Sequence, residues 1–173
     1  MKILESKRLL LRWLNSNDAA FILRLVNQPS WLQYIGDKGV KTLCDAEHYI
    51  QSGPVDMYDR LGFGMYLVEL KRSGEPIGMC GLIKRESLDD VDIGFAFLPD
   101  YWDKGYAFES ASAVMSHARN VLGFSKIVAI TSQDNHASCK LLEKLGFRFE
   151  RMVQLEANGE TIKLYVAAPL TNN

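Results

Sequence analysis

Apolar and polar positions alternate with period two in some stretches of this chain and recur every three to four residues in others, so the pattern itself proposes the elements. Residues 3–14 are Leu-rich and alternate imperfectly, which predicts a first strand near Leu9 to Trp13. Asn15-Ser-Asn-Asp18 offers helix caps, and Ala19, Phe21, Ile22, Leu25 and Val26 then recur at helical spacing until Pro29. Thr42 and Asp45 have the spacing of a capping box, predicting a second helix from Thr42 to Ser52 that Gly53-Pro54 stops. The segment between the two helices, Trp31 to Gly39, has no clear period.

Gly64 to Leu70, Ile77 to Lys84 and Val91 to Leu98 read as three successive strands of an antiparallel meander. Ala107, Ala111, Val114, Met115 and Ala118 trace one face of a helix ending at Leu122-Gly123, and the β-branched run Lys126 to Thr131 completes a strand, helix, strand crossover. A further helix, Asn135 to Leu145, closes at Gly146. The last two strands, about Phe147 to Glu156 and Thr161 to Ala167, are expected to meet at the turn signal Asn158-Gly159. With no repeat, linker or low-complexity segment, the expected fold class is α+β: one domain over 1–173, with a mixed, mostly antiparallel sheet of about seven strands flanked by helices.

Composition narrows the function classes. Apolar residues at 47% and charged residues at 24% place the chain among globular proteins and away from disorder. Twenty basic against 21 acidic residues leave a formal charge of -1, so no uniform field gathers a phosphate backbone and nucleic acid is not the expected partner. Cys44, Cys80 and Cys139 are odd in number and lack paired spacing, which speaks for reduced thiols in the cytoplasm. His48, His117 and His136 lie too far apart in sequence to share a metal from one helix, and no metal is expected. Charges interrupt the N-terminal apolar residues at once and no later stretch has membrane-span length, so neither secretion nor a membrane is expected.

The chemistry concentrates in Ile93-Gly-Phe-Ala-Phe-Leu-Pro-Asp-Tyr-Trp-Asp-Lys-Gly-Tyr-Ala107: a strand, a short loop ending in Lys-Gly, and a helix opening on small residues. The first turn of a helix has unpaired N–H groups and the positive end of the dipole, and Gly105 lacks a Cβ that would keep a phosphate off that backbone. Lys-Gly before a helix is also an ordinary turn. A second run, Asn135-His-Ala-Ser-Cys-Lys-Leu-Leu-Glu-Lys-Leu-Gly-Phe147, follows the next strand. Together, Gly-x-Gly/Ala at one helix start and Asn-x-x-Ser with Glu-Lys-Leu-Gly-Phe some thirty residues on resemble the GNAT acyltransferases. Ser6-Lys-Arg-Leu-Leu-Leu-Arg12, the Asp18 helix start and Tyr101-Trp102 resemble the RimJ/RimL-type branch, which acetylates ribosomal-protein N-termini. The resemblance spans nearly the whole chain.

The resemblance implies an N-acetyltransferase that moves the acetyl group of acetyl-CoA to a primary amine, a protein N-terminal α-amine or a small molecule, by direct attack in a ternary complex. The other readings are an acetyltransferase of polyamines, amino sugars or amino acids, and a non-catalytic acyl-CoA-binding module; the state is monomer or homodimer. N–H groups of Asp103, Lys104, Gly105, Tyr106 and Ala107 would hold the pyrophosphate, and the strand backbone near Phe97 and Leu98 would pair with the pantetheine. Trp102 stands where the broader family has Gln or Arg, so the cradle should rest on backbone. The family's acid Tyr corresponds to Leu142 here, which passes protonation of the leaving thiolate to Ser138, one turn earlier; a helical Ser also bonds a preceding carbonyl, here that of Asp134. Asn135 suits cofactor contact and helix capping equally. Asp92 occupies the place of the family's strand Glu as base, with Glu69 as runner-up, and either also fits a solvated strand carboxylate. Trp31 and Tyr34 fall in the segment that covers the acceptor in relatives, or are packing residues.

Overall fold

In the computed structural model, which describes residues 2–169, the strands are β1 (Lys2–Glu5), β2 (Leu9–Arg12), β3 (Met65–Leu70), β4 (Pro76–Ile83), β5 (Val91–Phe97), β6 (Ile127–Thr131), β7 (Phe147–Val153) and β8 (Ile162–Ala167). They form one sheet in the order β1-β2-β3-β4-β5-β6-β8-β7, antiparallel throughout except between β5 and β6. The sheet has eight strands rather than about seven, because β1 pairs with β2 as a four-residue edge too short and too charged to declare itself by alternation.

The helices are α1 (Ala19–Val26), α2 (Pro29–Tyr34), α3 (Leu43–Ile50), α4 (Asp56–Leu61), α5 (Tyr106–Asn120) and α6 (His136–Lys144). Their starts follow local chemistry. Asp45 N–H donates to Thr42 Oγ1 (3.1 Å) and Thr42 N–H to Asp45 Oδ2 (2.8 Å), the reciprocal box expected at α3. Pro29 begins α2 instead of merely ending α1, since a missing N–H costs nothing at the first helical position. Gly53-Pro54 does not stop the chain either. The helix widens over Gln51–Val55, where Asp56 N–H reaches back to Gln51 O and room opens for the proline ring, and α4 continues to the left-handed Gly62. Asn158-Gly159 lies inside a loop over 154–161, with Gly159 N–H bonded to Glu156 O, so β7 and β8 do not meet at a two-residue turn.

Both faces of the sheet are covered. On one, Leu9, Tyr66, Val68, Cys80, Leu82, Ile93 and Phe97 pack against Ala111, Val114 and Ala118 of α5 and Cys139 and Leu142 of α6. On the other, Leu67, Met79 and Leu98 meet Ile22, Leu25, Ala46 and Ile50 of α1 and α3. A smaller cluster of Leu88, Val128, Val153 and Leu164 covers the β6–β8 end. At Gly81 of β4 a Cβ would lie 2.2 Å from Gly64 O, so only glycine admits that backbone approach.

Candidate active site

β5 and β6 form a fork. Their parallel pairing is confined to Val91 with Ile127 and Asp92 with Val128; beyond it β5 has no strand partner on its β6 side among the described residues, while β6 pairs on to Thr131 with β8. The C-terminal ends of both strands, and therefore the starts of α5 and α6, face the opening, the usual place for a ligand in a parallel crossover. Leu98 N–H donates to Ile77 O on β4 (3.0 Å), so by antiparallel alternation the polar groups of Phe95 and Phe97 point into the fork. Leu98 itself is fully engaged, its carbonyl accepting from Tyr101 N–H. The edge that faces the fork thus runs from Phe95 to Phe97; it includes Phe97 of the expected pair, while Leu98 faces β4.

Trp102 N–H, through the indole Nε1, donates to Phe97 O at 2.9 Å and ties the following loop to the fork's edge. Backbone holds the rest of the loop. Asp103 (φ 57°) and Gly105 (φ 79°) are both left-handed, on either side of Lys104. Gly105 is the N-cap of α5, no described side chain caps the helix, and Glu109 is the first residue to close an intrahelical bond there, at 3.0 Å to Gly105 O. The amides of Tyr106, Ala107 and Phe108 are left with no helical acceptor, at the positive end of the dipole. Glycine is needed for a reason beyond the one expected: a Cβ at Gly105 would lie 3.3 Å from Arg8 Nη2, besides being strained at that φ.

On α6, Asn135 is the cap: its Oδ1 accepts from Ser138 N–H at 3.2 Å, leaving its NH₂ group without a partner among the described residues. The Ser138 hydroxyl is half-buried and likewise bonds nothing described, so it does not fold back onto the Asp134 carbonyl. Leu142, one turn on, is buried in the core. Cys139 is buried with its Sγ 3.9 Å from Lys163 Nζ.

The two carboxylates are both held by arginine. Asp92 is the last β5 residue paired to β6, at the closed end of the fork; its side chain is 2% exposed and its Oδ1 accepts from Arg85 Nε at 2.9 Å. Burial pushes its carboxyl up from the usual value, against the pull of Arg85. Glu69 accepts from Arg12 Nε at 2.9 Å, and the same guanidinium grips Asp18 at 2.8 and 2.9 Å. These bonds, Asp18 first, hold Arg12 firmly protonated despite its burial. Glu69 is therefore part of a bridge between β2, β3 and the start of α1, a restraint that counts against the runner-up base.

An acetyltransferase (GNAT) domain profile matches residues 8–148. The chain belongs to the GNAT acetyltransferase family. An uncharacterised N-acetyltransferase of Bacillus subtilis, YoaA, is 30% identical over 153 residues, covering 88% of this chain and 86% of the relative. Among solved structures, the ribosomal-protein α-N-acetyltransferase RimL in complex with coenzyme A superposes with a TM-score of 0.81 at 20% identity, covering 96% of this chain and 97% of that one. A spermidine N-acetyltransferase SpeG chimera from Vibrio cholerae gives 0.74 at 19%, covering 93% and 95%. The fold is that of these acetyltransferases, and the chain is an acetyl-CoA-dependent N-acetyltransferase.

The residues of this acetyltransferase fit the donor: the uncapped amides of α5 suit a pyrophosphate, and the Phe95 to Phe97 edge, which has no strand partner among the described residues on that side and whose Phe97 carbonyl takes the Trp102 indole N–H, suits an amide-bearing arm laid alongside it. Among the described residues no cluster of three His, Cys, Asp or Glu could hold a metal ion, and no helix is long and apolar enough to cross a membrane. On the acceptor side, Trp31 belongs to α2 and is only 6% exposed, packed into the α1–α3 core, so it is a packing residue and does not line an open site; Tyr34 is half-buried at the end of that helix. Arg85 and Arg8 escaped the sequence reading. Arg85 sits in the polar stretch before β5, where only its distance of seven residues from Asp92 hinted at a role, and Arg8 was visible solely as part of the Ser6 to Arg12 motif.

Proposed function

We propose that this acetyltransferase acts in the cytoplasm on a primary amine, in first place the α-amine of a protein N-terminus, by direct attack within a ternary complex. The observation that carries this choice is the restraint on both carboxylates, Asp92 by Arg85 and Glu69 by Arg12. An α-amine of pKa about 8 surrenders its proton near pH 7.4 for less than about 1 kcal/mol, whereas a lysine-like amine needs about 4 kcal/mol. With Glu69 bridged to Arg12 and Asp92 sharing its carboxylate with Arg85, the site offers at most one base, relayed through water, which matches the acceptor that needs least help. The likeness to RimL over nearly the whole chain supports the same acceptor class.

In this mechanism the α5 amides and the Asp103 to Ala107 loop hold the donor's phosphates, and Phe95 and Phe97 orient its arm along β5. The amine nitrogen attacks the thioester carbon, the C–S bond breaks, and Ser138 Oγ–H, which has no other described partner, passes its proton to the departing sulfur while taking one from solvent. Asp92 receives the amine proton through an ordered water, its raised pKa bringing it nearer the range of a useful base. Cys139 is buried beside Lys163, in keeping with a reaction that forms no acetyl-enzyme.

A second acceptor class is favoured by one feature. A cleft of about 310 Å³ beyond β6 is lined by Ser132, Gln133, Asp134, Glu160 and Thr161, and its two carboxylates suit a small cationic amine. The SpeG likeness points the same way. Thiol release from acetyl-CoA, measured against N-terminal peptides, polyamines and amino sugars, decides: the highest kcat/KM is expected with a peptide, a polyamine optimum would replace the first reading with the second, and no release with any amine would overturn both.

A further inference from the structure

Glu109 presents a difficulty for any phosphate at the start of α5. Its carboxylate lies one turn into the helix, where it favours the dipole but repels an anion bound to the same amides. The side chain is 17% exposed, and its charge is met from 101 residues away. Ser6 Oγ–H and Arg8 N–H both donate to Glu109 Oε1, at 2.6 and 2.7 Å, and Arg8 Nε donates to Oε2 at 2.6 Å. The same guanidinium donates from Nη1 to Lys104 O at 2.9 Å, lies 4.4 Å from the centre of the Tyr106 ring, and brings Nη2 to within 3.3 Å of where a Cβ would stand on the left-handed Gly105. One side chain thus touches four consecutive features of the loop and helix start: Lys104, Gly105, Tyr106 and Glu109.

We propose that Arg8 is a positioning residue for the donor's phosphates: it neutralises Glu109 and braces the Lys104 to Tyr106 turn, so that the α5 amides meet an anion with no competing negative charge. Arginine is required because a lysine ammonium cannot bridge a carboxylate and a carbonyl while stacking on a ring. Lys144, 4.3 Å above the Phe108 ring, adds charge nearby but bonds neither Glu109 nor the loop carbonyls. The hairpin of β1 and β2 consequently acts at a distance on donor affinity, a role that rests on the reading of the Asp103 to Ala107 loop as the phosphate site.

The test compares Arg8→Gln, Glu109→Gln and the double variant. Calorimetry should show coenzyme A affinity reduced about tenfold in Arg8→Gln, the scale of a lost charge-assisted bond, with most of the loss recovered when Glu109→Gln is added. The fall in kcat/KM with acetyl-CoA should exceed that with S-acetylpantetheine, which has no phosphates, by a similar factor. Amide exchange at Gly105 to Phe108 in the protein alone should speed up in Arg8→Gln. Unchanged affinity and exchange, an equal loss with both donors, or no recovery in the double variant would overturn the inference. Wild type that bound no coenzyme A would instead overturn the phosphate-site reading, while the exchange data would still report on the brace. Should Arg8→Gln not fold, Arg8→Lys takes its place, and wild-type affinity in that variant would count against Arg8 equally.

Discussion

At the open end of the β5–β6 fork the protein builds with main chain: two left-handed residues, an uncapped helix start and an unpaired strand edge, with side chains such as Trp102 and Arg8 serving to hold backbone in place. At the closed end it builds with side chains, a buried Asp92 whose charge is opposed by burial and supported by Arg85. The difference matches the roles proposed for the two ends. A donor shared by every member of a family can be held by groups every residue possesses, whereas proton transfer needs a titratable atom at one place, and its pKa must be tuned by burial and a partner.

The largest effect is expected at the closed end. Asp92→Asn should lower kcat/KM about 10²-fold near pH 6.5 and progressively less toward pH 9, where the amine loses its proton unaided. Arg85→Gln sharpens the point, because it removes the only described ion pair that opposes the burial of Asp92. The acidic limb of kcat/KM should then move to higher pH. A pH–rate profile that is the same in both variants and wild type would take Asp92 out of the reaction. Next in size, Ser138→Ala should cut kcat roughly tenfold or more while leaving coenzyme A affinity within about twofold, as a proton donated mainly in the transition state requires. A fall in affinity matching the fall in kcat would reduce Ser138 to a contact.

The same division decides what could be read from the sequence. The meander, the crossover, the Thr42 box and the starts of α5 and α6 are local events marked by Gly, Asn or Thr, and so is the loop at Lys104-Gly105. β1 escaped because a four-residue edge carries too little pattern, and α2 and α4 because Pro29 and Pro54 read as stops although one sits at a helix start and the other in a widened turn. The arginine pairings were out of reach for a different reason. Arg12 meets Glu69 across 57 residues and Arg8 meets Glu109 across 101, and no local spacing records such partners. Asp92 was identifiable as a strand carboxylate, but its burial and its Arg85 partner were not.

Two variants probe the open end with smaller expected effects. Gly105→Val should destabilise the fold by about 1–2 kcal/mol, the cost of a left-handed β-branched residue, and press on Arg8 Nη2; in the folded fraction KM for acetyl-CoA should rise about tenfold with kcat little changed. Trp102→Phe removes the indole N–H from Phe97 O and nothing charged, so KM should rise about fivefold, the equivalent of one neutral hydrogen bond. Values of KM equal to wild type in both would show that the loop's placement against β5 does not matter for the donor.

The smallest effect sets the two ends against each other through stability. At Glu109 burial raises the carboxyl, but the Ser6 hydroxyl and the two Arg8 donors outweigh it, so its folded pKa lies below the ordinary 4.5. Its ionised form is favoured by folding, and that contribution is present above pH 4.5 and fades as the pH falls through the folded value. Asp92 behaves oppositely: burial holds its folded pKa above the ordinary 3.8, so its contribution is present below 3.8 and is lost as the pH rises through the folded value. Urea midpoints between pH 3 and pH 7 should therefore show the stability of wild type relative to Glu109→Gln growing with pH, by less than about 1 kcal/mol, while that of wild type relative to Asp92→Asn declines. Two slopes of the same sign would mean that one of these carboxylates is not in the environment described, and the one whose slope departs from expectation identifies the end of the fork at fault.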